Sequence, residues 1–126
     1  MSRIRDRNRF RKVYPFSRAR LAPPKNIPIR FIDSATAFSD TVSGDDYIIV
    51  VNSTAGGTIT IPESSTFPAA GESFIIKDAG GNAATNSITV TPSGSDLIDG
   101  QSKYVIGKDN EVAIFIYHGG TSWGVY

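Results

Sequence analysis

From residue 46 to the C-terminus, the chain consists of short runs of β-branched and aromatic residues separated by glycine-rich turns. The turns STAGG, AGGNAATN and HGGTS provide glycines for the positive φ angles that β-hairpins require. Seven such runs at spacings of about 8–15 residues, with no helical pattern, predict an all-β domain. We expect an antiparallel β-sandwich or a barrel-like meander whose strands are residues 46–52, 57–62, 73–78, 87–92, 103–106, 112–117 and 122–126.

Two of the runs, TITIP and SITVTP, alternate threonine with isoleucine or valine, which is typical of a half-buried strand. TITIP followed by SFIIKD, and SITVTP followed by KYVI, hint at a weak duplicated unit, but two short strands do not establish a repeat. The alternation predicts core positions at Ile59, Ile61, Ile88 and Val90 and outward positions at Thr58, Thr60, Thr89 and Thr91.

Two other runs, IIVV at 48–51 and VAIFIY at 112–117, are apolar on both faces. A single small sheet buries only one face against its core, so something must cover the second face of these strands. The cover is either a second sheet or identical strands from other subunits. The polar, turn-rich stretch 33–45 is interpreted as an edge strand or a loop that leads into the domain.

Residues 1–30 differ sharply from the rest of the chain. They hold ten of the thirteen basic residues and one acid, for a net charge of +9, whereas residues 31–126 hold three lysines and eleven acids, for −8. Four prolines exclude a long helix. These features divide the chain into an extended basic anchoring arm with a Pro-rich linker (1–30) and a β-domain (31–126). The opposite charges favour pairing between neighbouring copies.

Nucleic acid, a membrane surface and an acidic protein surface are the three kinds of partner that suit this arm. Arginines at alternate positions from 3 to 11 would lie on one side of an extended strand and reach successive phosphates. The acidic β-domain would repel DNA, however, and the arm has no amphipathic helix for a membrane. Aromatic residues interleaved with the arginines favour a protein, where arginines pair with carboxylates and rings fill pockets. The predicted anchoring residues are Arg3, Arg5, Arg7, Arg9, Phe10, Arg11, Lys12, Tyr14, Phe16, Arg18 and Arg20; nucleic acid remains the alternative.

No catalytic, cofactor or metal site is predicted. The chain has one histidine, His118, has no cysteine and lacks a GxSxG motif, so neither a nucleophilic triad nor a zinc site is expected. Carboxylate pairs occur in turns, where we expect them to accept hydrogen bonds from backbone N–H groups; a glycosidase-like pair is the alternative. These pairs are Asp45 with Asp46, Asp96 with Asp99, and Asp109 with Glu111.

The chain shows no export or membrane segment. Arginines interrupt every apolar pair near the N-terminus, which excludes the apolar core of a signal peptide. The longest apolar run, VAIFIY, is far shorter than the about 20 residues that a membrane-spanning helix needs. We therefore expect a soluble protein that is not an enzyme and has no membrane partner.

Most of the aromatic residues of the β-domain lie on the predicted strands, where core or subunit-interface positions are expected. The C-terminal hairpin allows an alternative, because a terminal hairpin often forms an exposed tip. In that interpretation Tyr117, Trp123 and Tyr126 would bind a receptor or a glycan.

Several short motifs follow one another in a fixed order along residues 46–126. They are Lys77-Asp78, Gly80-Gly81-Asn82, Asn86, Ile88-Thr89-Val90, Ile98-Asp99-Gly100 and Gly120-Thr121-Ser122-Trp123. This order resembles a β-meander domain of tailed-phage structural proteins, which has a KD-x-G-G/S-N-A-A-x-N-x-I-T-I-x-P core, an I-D-G turn and a DGT-x-W hairpin. Residues 1–30 lie outside the resemblance.

The resemblance implies a homotrimeric virion protein, assembled in the host cytoplasm and bound to other virion proteins such as a major capsid or neck protein. A capsid decoration, cement or head-fibre role suits a chain too short for a long shaft. A short tail-fibre or neck appendage with a receptor-binding tip is the second alternative. A nucleic-acid-associated protein that binds through the arm is the third.

Overall fold

The computed structural model describes residues 26–63 and 70–126, and within these ranges it contains ten β-strands and no helix. The prediction of an all-β domain is confirmed, and each of the seven predicted runs contains a strand. β1 begins two residues before the predicted start of the β-domain. The strands are β1 (Ile29–Ser34), β2 (Phe38–Thr41), β3 (Ile48–Ser53), β4 (Gly57–Ile61), β5 (Ser73–Asp78), β6 (Ile88–Pro92), β7 (Leu97–Ile98), β8 (Tyr104–Ile106), β9 (Val112–Gly119) and β10 (Ser122–Val125).

The first six strands alternate between two sheets. A six-stranded sheet has the order β1-β3-β5-β9-β10-β7, and a four-stranded sheet has the order β2-β4-β6-β8. Neighbours among β1, β3 and β5 are parallel, as are neighbours among β2, β4 and β6. Three successive strand pairs therefore stack like the coils of a short solenoid, with one strand of each coil in each sheet.

The predicted antiparallel arrangement was wrong, because both sheets are mixed and the three coils stack in parallel. The turn STAGG explains the error. Gly56 has the expected positive φ, but the turn carries the chain from β3 in one sheet to β4 in the other instead of reversing it within one sheet. Glycine-rich turns serve both purposes, so their composition does not distinguish a hairpin from a crossover.

Antiparallel strands follow the third coil. β9 runs antiparallel to β5, and β8 runs antiparallel to β6. The HGGTS turn closes the β9–β10 hairpin as predicted, with Gly119 and Gly120 at φ values of 101° and 62°. These strands pair the edges that the third coil would otherwise leave open.

The core lies between the two sheets, and its side chains form ladders across successive coils. Ile49 is in register with Ile76, and Ile59 is in register with Val90. All four predicted core residues of TITIP and SITVTP are buried, and the four threonines between them are partly exposed, so this prediction is confirmed. An aromatic cluster fills the C-terminal half, where the rings of Phe74 and Phe115 stack with centroids 5.1 Å apart.

Polar side chains replace apolar ones at the ends of these ladders. In the first coil, Arg30 takes the position that Ile49 takes in the second, and Asp40 takes the position of Ile59. Arg30 donates from Nη1 to Asp40 Oδ2 at 2.6 Å and from Nε to Asp46 Oδ1 at 2.9 Å. Beyond the last coil, the hydroxyl of Tyr104 donates to Glu111 Oε2 at 2.6 Å. Hydrogen-bonded polar groups thus lie beside the core in the first coil and again next to β8 and β9.

The same contacts perturb the ionisation of these groups. Burial opposes the charged form of Asp46, but hydrogen bonds from Arg30 and from the Ser43 N–H outweigh it and lower the pKa of Asp46. The bonds to Asp46 and Asp40 raise the pKa of Arg30. The hydrogen bond to the Glu111 carboxylate, together with burial, raises the pKa of Tyr104 to about 12.

We expect Asp46→Asn to lower the free energy of unfolding by about 1–2 kcal/mol at neutral pH, because a charge-assisted contact of a partly exposed arginine is lost. The folded pKa of Asp46 lies below the unfolded value of about 3.9, so the contribution is present above that value and is lost as pH falls through the folded pKa. Urea unfolding at neutral and strongly acidic pH measures the difference. Asp45→Asn, which changes the exposed neighbouring carboxylate, is the control. An equal loss of unfolding free energy in the two variants would contradict this role of Asp46.

Candidate functional site: the outer face of the six-stranded sheet

The outer face of the four-stranded sheet carries hydroxyl groups. Ser39, Thr58 and Thr89 are register partners on three neighbouring parallel strands. Thr41, Thr60 and Thr91 form a second row two residues further along the same strands. Hydroxyl side chains form hydrogen bonds with water, so this face needs no cover.

The outer face of the six-stranded sheet is apolar instead. Ile29, Ile48, Ile75 and Ile114 are register partners across β1, β3, β5 and β9. Further apolar residues flank this row, and we refer to the whole surface as the apolar face. It consists of Ile29, Phe31, Ile48, Val50, Ile75, Val112, Ile114 and Ile116.

The edges of the apolar face are strongly exposed. Phe31 is 62% exposed, Val112 52% and Ile29 51%, whereas the five residues between them are partly buried by their neighbours. One charged residue interrupts the face, since Lys77 lies between Val50 and Val112 in the register. Lys77 Nζ donates to the backbone oxygen of Asn110. A contiguous apolar surface of this kind is typical of an interaction site.

The strands that are apolar on both faces explain this surface. The inner faces of β3 and β9 pack against the four-stranded sheet, which is the second sheet that was one of the two predicted covers. No element among residues 26–63 and 70–126 covers the outer face. Ile29 and Phe31 were not predicted to belong to this surface, because residues 29–34 were not predicted to form a strand.

The C-terminal aromatic residues do not share one exposed surface. Trp123 is fully buried, and its ring centroid lies 5.2 Å from that of Tyr117. Tyr117 is 6% exposed, and its hydroxyl donates to the backbone oxygen of Gly120 at 2.7 Å. Tyr126 is 67% exposed. Trp123 and Tyr117 therefore lie in the core. Of the three residues, only Tyr126 is exposed enough to contact a receptor or a glycan.

The predicted anchoring residues lie outside the described residues. They are Arg3, Arg5, Arg7, Arg9, Phe10, Arg11, Lys12, Tyr14, Phe16, Arg18 and Arg20. Arg30 was counted with the basic arm, but its guanidinium is bound within the β-domain by Asp40 and Asp46. Residues 1–25 therefore carry nine basic residues and one acid, and the described residues carry four basic residues and eleven acids.

His118 lies at the exposed end of β9. Its Nε2 is 2.8 Å from the hydroxyl of Tyr126, and the two rings meet edge to face. Within the described parts of the chain, no three histidine, cysteine or acidic side chains lie close enough together to form a metal-binding group. In those parts there is also no helix with the length and apolar character needed to cross a membrane.

Several turn carboxylates accept hydrogen bonds from backbone N–H groups, as predicted. Asp46 accepts from Ser43, Asp109 accepts from Ala84, and Glu111 accepts from Lys108. Asp78, in the KD motif, is 2% exposed, and its Oδ2 accepts from the N–H groups of Ala83 and Asn110 at 3.1 and 3.0 Å. Asp78 thus joins the β5–β6 crossover to the turn before β9.

Replacing Asp78 with Ala should lower the free energy of unfolding by about 2–4 kcal/mol, because it leaves the buried N–H of Ala83 and the partly buried N–H of Asn110 without an acceptor. Chemical denaturation of the purified protein measures this loss. Asp109→Ala is the matched control, since the carboxylate of Asp109 is exposed and accepts one bond, from Ala84. We expect the control to lose about 1 kcal/mol or less. Equal losses in the two variants would show that Asp78 has no special structural role.

Comparison with protein-family models returns no match, and comparison with curated proteins returns no significant relative. The chain itself therefore provides the observations that bear on function. Its main features are an apolar face on one side of an acidic β-domain and a strongly basic segment before β1.

Proposed function

We propose that this chain is a virion structural protein of a tailed phage that works as a homotrimer. In this proposal it is a capsid decoration, cement or head-fibre protein and has no catalytic activity. Copies pack through the apolar face, and the basic arm fixes the assembly to another virion protein. The motif order along residues 46–126 supports the phage assignment as a resemblance, and the apolar face supports the assembly.

The difference between the two outer faces is the observation that carries this proposal. The two sheets belong to one sandwich, yet hydroxyl rows lie on one outer side and isoleucine, valine and phenylalanine lie on the other. Exposure of an extended apolar surface to water is unfavourable, so a chain that stayed monomeric would gain by having threonine there as well. Covering the apolar face with the same face of other copies removes that cost.

The magnitude of this contribution is modest. Ile29, Phe31 and Val112 are each about half exposed, and half of a full side-chain burial provides about 1 kcal/mol per residue. Three such residues provide roughly 3 kcal/mol per subunit, or about 9 kcal/mol for three subunits, which is at the low end of the about 8–30 kcal/mol that the two association steps of a trimer cost. The half-buried residues of the apolar face and contacts of the arm must supply the rest. Self-association is therefore expected to depend on both parts of the chain.

The charge distribution supports a separate anchoring role for the arm. Residues 1–25 have a net charge of +8, whereas the described residues have a net charge of −7. Opposite charges of this size attract a basic arm to acidic protein surfaces, including those of neighbouring copies. Three arms in one trimer would bind a particle together, and their joint attachment would be much stronger than that of a single arm.

The double variant Phe31→Ser/Val112→Ser should weaken self-association by at least ten-fold, because it removes two of the most exposed residues of the apolar face. Sedimentation equilibrium of the full chain over a range of concentrations measures the oligomeric state, which we expect to be a trimer for the wild type. Val105→Ser is the matched control, since Val105 is 43% exposed on the outer face of the other sheet. A monomeric wild type, or unchanged association of the double variant, would refute packing through the apolar face.

Deletion of residues 2–25 should abolish attachment to virus particles while leaving the β-domain folded. The deletion must stop before Arg30, because Arg30 holds Asp40 and Asp46 in the first coil. Co-sedimentation with particles that lack the protein measures attachment, and thermal unfolding checks the fold. Attachment of the deleted chain at wild-type levels would contradict anchoring by the arm.

A gel shift at two salt concentrations distinguishes a protein anchor from a nucleic-acid arm. Binding through phosphates weakens steeply as salt rises, by roughly one power of the salt concentration for each neutralised phosphate. We expect weak DNA binding by the full chain compared with its attachment to particles. Tight DNA binding with a steep salt dependence, lost on deletion of residues 2–25, would instead favour the nucleic-acid alternative.

A further inference from the structure

A groove of about 230 Å³ lies beside the turn between β6 and β7. Oxygen atoms dominate its chemistry, because two carboxylates and three hydroxyl groups are among its lining residues. The lining consists of Glu63, Ser93, Gly94, Ser95, Asp96 and Thr121. These residues come from three separate segments: the end of β4, the β6–β7 turn and the β9–β10 hairpin.

Asp96 is unusual among the acids of this chain. Its residue is only 6% exposed, and its Oδ2 is buried without a hydrogen-bond partner. The buried carboxylate of Asp78, in contrast, accepts two hydrogen bonds. A buried carboxylate oxygen without a partner is unfavourable, and such oxygens in proteins are normally paired or bound to a metal ion.

A second groove of the molecule provides a comparison. It lies at the ends of β1 and β3 and contains one carboxylate, that of Asp33. Asp33 is exposed, and its Oδ1 accepts a hydrogen bond from Asn52 Nδ2 at 3.2 Å. That carboxylate is exposed to solvent and hydrogen-bonded, so nothing about it requires a ligand. The groove at Asp96 differs in having a buried and unpaired acceptor.

We propose that the groove at Asp96 binds a calcium ion. Asp96 Oδ2 would be the buried ligand, and Glu63 would supply the second carboxylate. Glu63 lies against the turn, since a Cβ atom placed on Gly94 would be 3.8 Å from Glu63 Oε2. The hydroxyl groups of Ser93, Ser95 and Thr121 are further oxygen ligands of the kind that calcium accepts.

Calcium fits this groove better than other common metal ions. The lining offers neither histidine nor cysteine, which excludes the preferred ligands of zinc and copper. Magnesium requires a strict octahedral arrangement, whereas calcium accepts six to eight oxygen atoms with variable geometry and retains water in open sites. With two carboxylates only, the site should be weak, with a Kd of about 0.1–1 mM, as in many extracellular calcium modules.

A bound ion would hold three segments of the fold together. Two backbone hydrogen bonds already connect them: Ser93 N–H donates to Ile61 O at 2.8 Å, and Leu97 N–H donates to Thr121 O at 2.9 Å. An ion that binds only the folded chain raises stability in proportion to the logarithm of its concentration above Kd. The site is independent of the proposed assembly, because it requires one copy of the chain.

The test is a calorimetric titration of the EDTA-treated full chain with calcium chloride, together with thermal unfolding at increasing calcium concentration. We expect one site per chain and a rise in Tm on the order of 5 °C at ten times Kd. Magnesium at the same concentration should give a much smaller rise. The absence of both binding heat and a Tm shift at 10 mM calcium would overturn the proposal.

Two variants identify the ligands. Asp96→Asn should reduce calcium affinity at least ten-fold but match or exceed the wild-type Tm without calcium, because it relieves the burial of an unpaired charge. Glu63→Gln alters an exposed side chain, should fold normally and should reduce affinity at least five-fold. Asp45→Asn, an exposed carboxylate in another turn, is the control and should bind calcium like the wild type. Less than a two-fold change in both ligand variants would also overturn the proposal.

Discussion

The parallel, in-register stacking of three coils is the constraint on which the rest of the structure depends. Each inward side chain of one coil lies beside the equivalent side chain of the next, as Ile49 beside Ile76 and Ile59 beside Val90. Such a stack is apolar along its length and has two open ends. At one end, Arg30 of the first coil forms an ion pair with Asp40. At the other end, β9 and β8 pair with the two strands of the third coil, and Tyr104 of β8 donates a hydrogen bond to Glu111.

The stacking also explains how far the sequence predicted the fold. All seven runs from residue 46 onward contain a strand because alternation and turn spacing depend on local properties of the chain. Parallel and antiparallel strands have the same alternation, so the pairing was not predictable from these runs alone. TITIP and SITVTP do stack in register as equivalent strands, whereas SFIIKD and KYVI lie in different sheets. The hinted unit therefore coincides with stacked strands in its first member only.

A repeat is nevertheless present in the sequence. Residues 29–41 and 48–60 are offset by nineteen residues, and both strands of the first coil pair with those of the second at this offset. From the second coil to the third, the offset becomes 27 residues in one sheet and 31 in the other, since Ile48 pairs with Ile75 and Gly57 pairs with Ile88. Insertions between strands change the offset without changing the stacking. Because of these insertions, a search of the sequence for a repeat of one fixed length does not detect the equivalent strands.

The candidate site was predictable to a similar degree. IIVV and VAIFIY indicated an additional apolar face, but the residues at the edge of that face, Ile29 and Phe31, were hidden by their closeness to the basic arm. The buried position of Asp96 was not predictable, since an aspartate in a turn is ordinarily exposed. Its burial results from contacts between distant segments, and only the folded chain brings Thr121 and Glu63 to the same groove.

In the proposed trimer, charge would make the assembly and the arm dependent on each other. The described residues have a net charge of −7, so copies that meet through the apolar face also bring acidic domains together. The resulting repulsion opposes the modest gain from covering Ile29, Phe31 and Val112. An arm with a net charge of +8 offsets this repulsion if it lies on a neighbouring domain, and it gives up part of that role when it docks on another acidic protein. The same arginines would then bind the particle and stabilise the trimer. The stability of the trimer would therefore depend on how many arms are bound to the particle.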